Sequence, residues 1–303
     1  MKVLVFGGTG FIGKNLTREL TTNGYRVGVV TRHTDNASNN ISNNLRVIKW
    51  QYSSPFMVFT EFRDVDVVVN LAGESIAKSR WTNSVKQEIL ASRIKATKAL
   101  VAAINDGYIQ PKVLINASAV GYYGPCGDEE KTEETGAGQD FLAQVCQEWE
   151  NEAYKVQNPI TRVITARIGL VLGAEGALNK MVLPFKIYLG GSLGSGSQWL
   201  SWIHINDLTR LIMFMMEYRE LSGPINATAP EPVRMKTFCS VLGKVLNRPS
   251  WLPVPELMLK IALGEMAEML LHGQRVVPKK AINAGFEFRY PNLRLALEDV
   301  LKK

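Results

Sequence analysis

The N-terminal stretch Lys2-Val-Leu-Val-Phe-Gly-Gly-Thr-Gly-Phe-Ile-Gly13 decides the fold of this chain. Residues 2–6 are mainly apolar and partly β-branched, which is typical of a buried strand. The glycines that follow allow a tight turn and a close approach of the backbone to a pyrophosphate. Phe11 opens a helical pattern, and the N-terminal amides of a helix favour an anion. A strand, a glycine turn and a helix in this order predict a dinucleotide-binding site.

The spacing of the glycines fits two patterns of dinucleotide-binding proteins. Gly8, Gly10 and Gly13 match GxGxxG, whereas Gly7, Gly10 and Gly13 match GxxGxxG. The whole string resembles the short-chain dehydrogenase/reductase superfamily, and specifically its extended, epimerase-like branch. Five positions of the string are predicted cofactor contacts: Gly7, Gly10, Phe11, Ile12 and Gly13.

Composition and charge are those of an ordinary globular protein. The chain has 303 residues, of which 46% are hydrophobic and 21% are charged, and its net charge is +7. No run of Lys and Arg exceeds two residues, so we expect an anionic cofactor and a small-molecule substrate as partners, with no nucleic acid. The densest apolar run, at 211–216, is far too short to span a membrane, and we expect no membrane association. The sequence indicates no oligomeric state.

Cysteine usage and the N-terminus predict a cytoplasmic protein. Cys126, Cys146 and Cys239 are odd in number and far apart, which favours free thiols in a reducing compartment over disulfides or a zinc site. We therefore expect no bound metal. The first strand pattern begins at residue 2 with no signal peptide ahead of it.

Strand and helix patterns alternate up to about residue 230. Predicted strands cover 2–6, 26–31, 45–50, 65–71, 112–118 and 160–168, and predicted helices cover 11–22, 55–62, 83–105 and 139–157. This alternation predicts an α/β protein with a doubly wound, mostly parallel sheet, the NAD(P)-binding Rossmann fold. We expect the cofactor-binding domain over 1–230, with pocket elements from 170–205, and a smaller C-terminal domain or cap over 248–303.

The second half of the chain has weaker patterns. We expect a helix from Asn206, as its N-cap, to about residue 218. Further helices are predicted at 256–271 and 292–301, and a short strand at 286–288. We expect these later elements to pack over the carboxyl edge of the sheet.

The end of the second strand favours NADP over NAD. NAD-specific sites place an acid there to bind the ribose 2′-hydroxyl, whereas this chain has Thr31-Arg32. The nearest acid, Asp35, lies in the following loop. A guanidinium forms a bidentate pair with a 2′-phosphate, so Arg32 is the predicted selector.

The fourth and fifth strands end in further candidate site residues. The fourth ends in Asn70-Leu-Ala-Gly73, whose small residues allow backbone to approach a cofactor, and we expect contacts at Leu71, Ala72 and Gly73. The fifth leads through Ser118 to Tyr123-Gly124. Extended short-chain enzymes place a Ser or Thr near such a Tyr-Gly to hydrogen-bond the reacting oxygen. Ser118 lies within one residue of that place, and Ala119 is the other candidate.

The Tyr-x-x-x-Lys pair of the superfamily is absent from the next helix. Its Tyr position is Phe141 and its Lys position is Val145, and neither side chain transfers a proton. The one Tyr-x-x-x-Lys of the chain, Tyr108 to Lys112, precedes the fifth strand and contains Pro111, so we expect it not to be catalytic. Substitute acids or bases are sought among Tyr122, Tyr123, Cys146 and His204.

With these motifs together, the chain resembles, over nearly its whole length, the atypical short-chain dehydrogenase/reductases often labelled epimerase-family proteins. The strings that carry the resemblance include Gly7–Gly13, Asn70–Glu74, Ser118–Gly124, Phe141-Leu-Ala with Trp149-Glu150, Leu183-Pro-Phe185, Trp202-Ile-His204 and Gly273–Lys280. The resemblance implies a Rossmann fold that binds NADP without the Tyr–Lys pair, and a small C-terminal domain. It places cofactor contacts at Thr31, Arg32, Leu71, Ala72, Glu88, Arg93 and Val171, and supplies no substrate.

Two functions agree with these observations. The first is an NADP-dependent epimerase or oxidoreductase that acts on an unidentified small polar substrate, with Ser118 and Tyr123 as catalytic residues. The segment that contains Trp202 and His204 favours it, because it suggests a substrate pocket. The alternative is an NADP-binding regulatory or sensor protein with weak or no catalysis, which the missing Tyr–Lys pair favours.

Overall fold

A computed structural model describes residues 1–31, 44–50 and 62–302. Its strands, in chain order, are β1 (Lys2–Phe6), β2 (Arg26–Thr31), β3 (Leu45–Lys49), β4 (Val67–Asn70), β5 (Val113–Ala119), β6 (Glu130–Lys131), β7 (Arg162–Ile168), β8 (Leu170–Leu172), β9 (Trp199–Leu200), β10 (Trp202–His204), β11 (Gly223–Ala227), β12 (Val233–Arg234) and β13 (Arg275–Val276).

The helices of the same ranges are α1 (Phe11–Thr22), α2 (Asn83–Asn105), α3 (Phe141–Ala153), α4 (Ala177–Lys186), α5 (Ile205–Glu217), α6 (Met235–Leu246), α7 (Glu256–Leu263), α8 (Glu268–Leu271), α9 (Lys279–Asn283) and α10 (Leu293–Leu301). Short 3₁₀ helices occupy Val120–Tyr123 and Gly264–Ala267. No helix within the described ranges is long and apolar enough to cross a bilayer.

The central sheet has seven strands in the order β11-β7-β5-β4-β1-β2-β3, and each neighbouring pair is parallel. The predicted doubly wound α/β fold is confirmed. The strand order reverses at β1, which lies between β2 and β4. In such sheets ligands bind beyond the carboxyl ends of the strands at this switch point.

Both faces of the sheet are covered by helices, and the side chains of β1 point alternately into the cores on the two faces. Val3 and Val5 point into a core cluster that includes Leu16 of α1 and Leu211 of α5. Leu4 and Phe6 point into the opposite cluster, which includes side chains of α2. Successive strand residues face opposite sides, so one strand supplies both cores.

Most predicted elements are confirmed, several of them to the residue. Helices α1 and α2 have the predicted bounds. Helix α3 is shorter than predicted, and it begins at Phe141 because the carboxylate of Asp140 caps it by accepting from Ala143 N at 2.8 Å. The predicted helix at 55–62 lies almost wholly outside the described residues.

Two local predictions are wrong. Asn206 is not the N-cap of α5, because His204 takes that place and its Nδ1 accepts from Asn206 N at 3.1 Å. The segment 286–288 is not a strand. Its aromatic side chains form a cluster instead, with ring centroids 4.8 Å apart for Phe286 and Phe288 and 5.4 Å apart for Phe286 and Phe214.

The region after residue 248 is attached to the sheet domain at several points. The predicted helix at 256–271 is divided into α7, a 3₁₀ turn and α8, and Gly264, with a φ of 60°, is where α7 ends. Strand β13 pairs with β6, and Asn226 Nδ2 donates to Val277 O at 2.9 Å. Helix α10 packs with α4 and α6 around a separate core cluster. The division into domains at 230 and 248 stays a prediction.

Candidate functional site

The glycine turn after β1 is packed too tightly for side chains at three positions. Gly7 has a φ of 72°, and a Cβ there would lie 2.8 Å from Leu71 O. A Cβ on Gly13 would lie 2.3 Å from Gly7 O, and one on Gly8 would lie 2.8 Å from the Val29 side chain. Glycine is required at these positions of both patterns because the turn packs closely against α1, β2 and the end of β4, which leaves no room for a Cβ.

Gly10 is different, because it is exposed and its surroundings are open. A Cβ there would meet only Gly7 O, at 3.3 Å. Gly10 is the N-cap of α1, so no side chain caps this helix, and the first turn, Phe-Ile-Gly-Lys14, contains no acidic residue. The amides and the dipole of α1 thus face an accessible space, which suits a diphosphate. These residues fit a dinucleotide.

The end of β2 lies beside this turn. Thr9 Oγ1 and Thr31 Oγ1 are 3.3 Å apart. Thr31 is buried, so the end of β2 and the glycine turn pack directly against each other here. Arg32, the predicted NADP selector, lies outside the described residues, and its role stays a prediction.

Asn70 holds the end of β4 against the glycine turn. Its Nδ2 donates to Asn116 Oδ1 at 2.7 Å and to Thr97 Oγ1 at 3.0 Å, and its Oδ1 accepts from Ala72 N at 3.2 Å. The side chain is fully buried, so these bonds fix the path of Leu71 and Ala72. Both predicted contact residues are thereby placed at the switch point of the sheet.

Arg93 lies beneath the turn that follows β4. A Cβ on Gly73 would be 3.2 Å from Arg93 Cζ. The guanidinium donates to Ile89 O at 2.9 Å and lies 5.1 Å from the ring centroid of Trp149. Burial lowers the pKa of Arg93. Glu88, on the same helix, is exposed.

A large cavity opens beyond the carboxyl ends of β5 and β7. Its volume is about 1110 Å³. Among the predicted site residues, Phe11, Arg93 and Val171 line it, together with Ala119, the second candidate for the position of Ser118. The cavity also touches α3 through Val145 and Cys146. Predicted cofactor residues and a ligand-sized space therefore meet at the expected edge of the sheet.

Ser118 and Tyr123 are not among the described residues that line this cavity. Both are 3% exposed. Ser118 Oγ donates to Glu150 Oε1 at 2.6 Å, and Tyr123 OH donates to Asn226 Oδ1 at 2.7 Å. Burial raises the pKa of Tyr123 to about 12, so its phenol stays neutral. The geometry gives both side chains a structural part, and a catalytic role for them stays a prediction.

A buried ion pair that sequence reasoning missed lies at the centre of this network. Arg167 Nε donates to Glu150 Oε1 and Arg167 Nη2 donates to Glu150 Oε2, each at 2.9 Å. Arg167 Nη1 donates to Tyr123 OH at 3.0 Å, and its Cζ lies 3.4 Å from the ring centroid of Tyr122. Burial lowers the pKa of Arg167, but the bonds and charge of Glu150 outweigh it and raise the pKa above its ordinary value. The sequence signal for this ion pair was Arg167 itself, because an arginine within a mainly apolar strand such as 162–168 requires a buried partner.

Trp202 and His204 are not among the described residues that line the cavity. Trp202 is fully buried and its Nε1 donates to Glu231 O at 3.0 Å. His204 is 1% exposed, stacks on Tyr290 with centroids 3.8 Å apart, and has its Nε2 3.3 Å from Asp299 Oδ2. These contacts join β10 to the C-terminal region. A pocket role for the two residues stays a prediction.

Tyr108 and Lys112 lie at the opposite end of β5. Lys112 immediately precedes the strand, and its Nζ donates to Asp66 Oδ1 at 2.8 Å. Asp66 immediately precedes β4, so both groups are at the amino edge of the sheet. This location agrees with the prediction that they take no part in catalysis.

The two positions at which the superfamily has its Tyr–Lys pair are occupied by Phe141 and Val145, and the thiol of Cys146 comes directly after them. Phe141 is the first residue of α3 and packs edge-on against Trp81, with centroids 5.2 Å apart. Val145 is buried in the cavity wall, and Cys146 lies beside it. The three cysteines are free thiols. Within the described ranges, no group of His, Cys, Asp and Glu could hold a metal ion.

The thiol of Cys146 offers a direct check of this wall. Burial, followed by the charge of Glu150, raises its pKa to about 11. Since only the thiolate reacts, about 0.1% of the thiol is reactive at about pH 8. We expect iodoacetamide to label Cys146 more slowly than a free cysteine derivative by roughly a hundredfold, with a rate that rises up to about pH 11. Peptide mass spectrometry measures the rate, and labelling of Cys146 as fast as the free derivative would contradict the expectation.

Two family models match this sequence. The model of the NAD dependent epimerase/dehydratase family matches residues 3–227, and a domain of unknown function (DUF1731) matches residues 254–300. The chain is similar to "Epimerase family protein YfhF" of Bacillus subtilis (strain 168), with 43% identity over 99% of this chain and 98% of the relative. It is also similar to "Epimerase family protein SDR39U1 homolog, chloroplastic" of Arabidopsis thaliana, with 41% identity over 100% of this chain and 87% of the relative.

Solved structures agree with these matches. The human epimerase family protein SDR39U1 (isoform2), crystallised with NADPH, superposes with a TM-score of 0.87 and is 32% identical, with 100% of both chains covered. A nucleoside-diphosphate sugar epimerase from Corynebacterium glutamicum has a TM-score of 0.75 and 31% identity, over 99% of this chain and 58% of that chain.

Proposed function

We propose, from the premise that this chain belongs to the NAD dependent epimerase/dehydratase family, that it is an NADP-dependent oxidoreductase. It binds NADP in preference to NAD and acts on a carbonyl or hydroxyl group of a small molecule held in the cavity. Oxidation of the hydroxyl to a carbonyl transfers a hydride, which is one proton with two electrons, to the cofactor and releases the hydroxyl proton. Reduction of the carbonyl is the reverse.

One observation carries this proposal. The cavity at the carboxyl edge of the sheet is lined by Phe11, which the glycine motif assigns to the cofactor, and by Arg93 and Val171, for which the family resemblance implies the same role. They come from three separate segments of the chain, and the fold brings them to one cavity. The NADPH in the human relative supports the same cofactor here.

In this proposal the residues of the cavity wall bind and orient the ligands, and proton transfer is not assigned to Ser118 or Tyr123, because both are buried outside the described lining. The open N-terminus of α1, beside Gly10, suits the diphosphate, and the backbone of Leu71 and Ala72 packs closely against the glycine turn. A bound nicotinamide supplies or accepts the hydride. Because Phe141 and Val145 replace the Tyr–Lys pair, the proton moves to or from solvent water. We expect turnover about 10²–10⁴-fold slower than with a positioned acid or base.

The Arg32→Ala variant tests the cofactor preference. A charge-assisted hydrogen bond to a phosphate contributes about 1.5–3 kcal/mol, so we expect NADPH to bind roughly 10- to 150-fold more weakly while NADH is little affected. Calorimetric titration of both cofactors measures this. Arg219→Ala is the matched control, because Arg219 is exposed and precedes β11 at the amino edge of the sheet. Equal affinity of the unmodified protein for NADPH and NADH would contradict the proposal.

A further inference from the structure

The lining of the cavity is dominated by apolar side chains. Four of the ten methionines of the chain contribute to it, namely Met181, Met235, Met266 and Met269. Methionine is flexible and polarisable, so such a wall adapts to apolar molecules of different shape. Large aliphatic and aromatic groups fill much of the remaining lining, among them Ile76, Leu142, Phe185, Leu193 and Leu263.

The charged side chains of the lining have partners within the protein. Two of them face carboxylates: Lys78 Nζ lies 3.9 Å from Glu74 Oε2, and His272 Nε2 lies 2.8 Å from Glu268 Oε2. The other three donate hydrogen bonds to backbone carbonyl oxygens, namely Lys180 to Ala77, Arg80 to Ile261 and Arg93 to Ile89. Lys78, Arg80, Lys180 and His272 are exposed, so their charges are solvated and screened. Among the described lining residues this leaves Arg93 as the partly buried cation, and that residue is assigned to the cofactor. A second anionic group, such as the diphosphate of a sugar nucleotide, therefore finds no further buried charge partner in the cavity.

The apolar surface also continues from the cavity to the outside. Leu189 lines the cavity and is 49% exposed. Tyr188 and Trp251 lie next to it on the surface, and Trp251 Nε1 donates to Tyr188 O at 3.1 Å. Leu252 N donates to Gly190 O at 3.1 Å, so this rim has a defined structure. A molecule that enters over this rim meets apolar groups first.

We propose that the cavity takes an uncharged, largely apolar molecule that carries the reacting carbonyl or hydroxyl, rather than a sugar nucleotide or another small polar compound. This inference rests on the proposed function, since it concerns the substrate of the same site. The volume of about 1110 Å³ slightly exceeds the usual range of about 300–1,000 Å³ for ligand pockets, which leaves room for a chain or ring system beside the cofactor.

Straight-chain methyl ketones from butanone to decanone are the probe. They are titrated into the protein in the presence of oxidised NADP, which cannot donate a hydride to them. Burial of one methylene contributes about 0.8 kcal/mol, so we expect the affinity to rise about fourfold for each added methylene until the cavity is filled. UDP-glucose, titrated under the same conditions, is expected not to bind.

Two matched variants test whether the ketones bind in the cavity. Met269→Lys puts a charge into the partly buried wall, and we expect it to remove the dependence of affinity on chain length. Met258→Lys makes the same change at a side chain that is 60% exposed and outside the lining, and we expect the dependence to stay. Circular dichroism confirms that both variants are folded.

The results separate this inference from the proposed function. Affinity that does not change with chain length, tighter binding of UDP-glucose than of decanone, or equal loss in both variants would overturn the inference. NADPH is titrated separately into each protein. If NADPH binds but the ketone series fails, only the substrate class is wrong; if the ketones bind as expected and NADPH does not, the proposed oxidoreductase function is wrong and the apolar site remains.

Discussion

Glu150→Ala is expected to lower the free energy of unfolding by about 3–5 kcal/mol, because it leaves the guanidinium of Arg167 buried without its counter-charge. The Arg167 side chain is 3% exposed and donates hydrogen bonds to both carboxylate oxygens of Glu150. Ser118 loses the acceptor of its hydroxyl in the same variant. Denaturation in urea, followed by circular dichroism, measures the change.

A control on the same helix isolates this effect. Glu148 is exposed and lies two residues from Glu150, so Glu148→Ala is expected to change the stability by no more than about 0.5 kcal/mol. In the double variant Glu150→Leu with Arg167→Met, both charges are replaced by apolar groups, and we expect much of the stability to return. If Glu150→Ala is as stable as Glu148→Ala, the ion pair does not support the fold.

Gly10→Val is expected to abolish NADPH binding without unfolding the protein. The backbone of Gly10, with φ −76° and ψ 173°, is accessible to any residue. The added side chain would project into the open space before the N-terminus of α1, where we place the diphosphate. A Cβ on Gly10 would lie 3.3 Å from Gly7 O, so the turn has to yield by only a few tenths of an ångström, and the variant blocks the ligand without unfolding the protein. Calorimetry with NADPH measures the loss, and circular dichroism checks the fold.

Gly136→Val serves as the matched control. Gly136 is exposed, and a Cβ there has no heavy atom within 4 Å, so the same change is expected to leave NADPH binding unaffected. Unchanged NADPH affinity in a folded Gly10→Val protein would show that the diphosphate lies elsewhere.

The elements that could be predicted from the sequence are those with strong local periodicity. The bounds of α1 and α2 were predicted to the residue, since their apolar positions repeat with helical spacing and their ends carry clear breaks. Buried parallel strands read as continuous apolar runs, which made β1 and β4 recognisable. The glycine turn was recognisable because all of its glycines lie within seven consecutive residues, 7–13.

The contacts of the candidate site are not local, and this limited their prediction. Ser118 finds its partner 32 residues away in Glu150, and Tyr123 finds its partner 103 residues away in Asn226. Sequence places both at the carboxyl edge of the sheet but does not show whether they face the cavity or its supporting layer. The four methionines of the cavity come from three segments between 181 and 269, and only tertiary packing brings them together.

The arrangement of the central sheet also has a consequence for how the chain folds. Because all of its pairings are parallel, none can form as a hairpin, and each requires a long crossover to close. Val3 must find Val67 before β1 and β4 can join, and Gly223 must find Ile164 before β11 can be added. Sequence-distant pairing of this kind slows folding and leaves strand edges exposed in the interval. Refolding is therefore expected to compete with aggregation as the protein concentration rises.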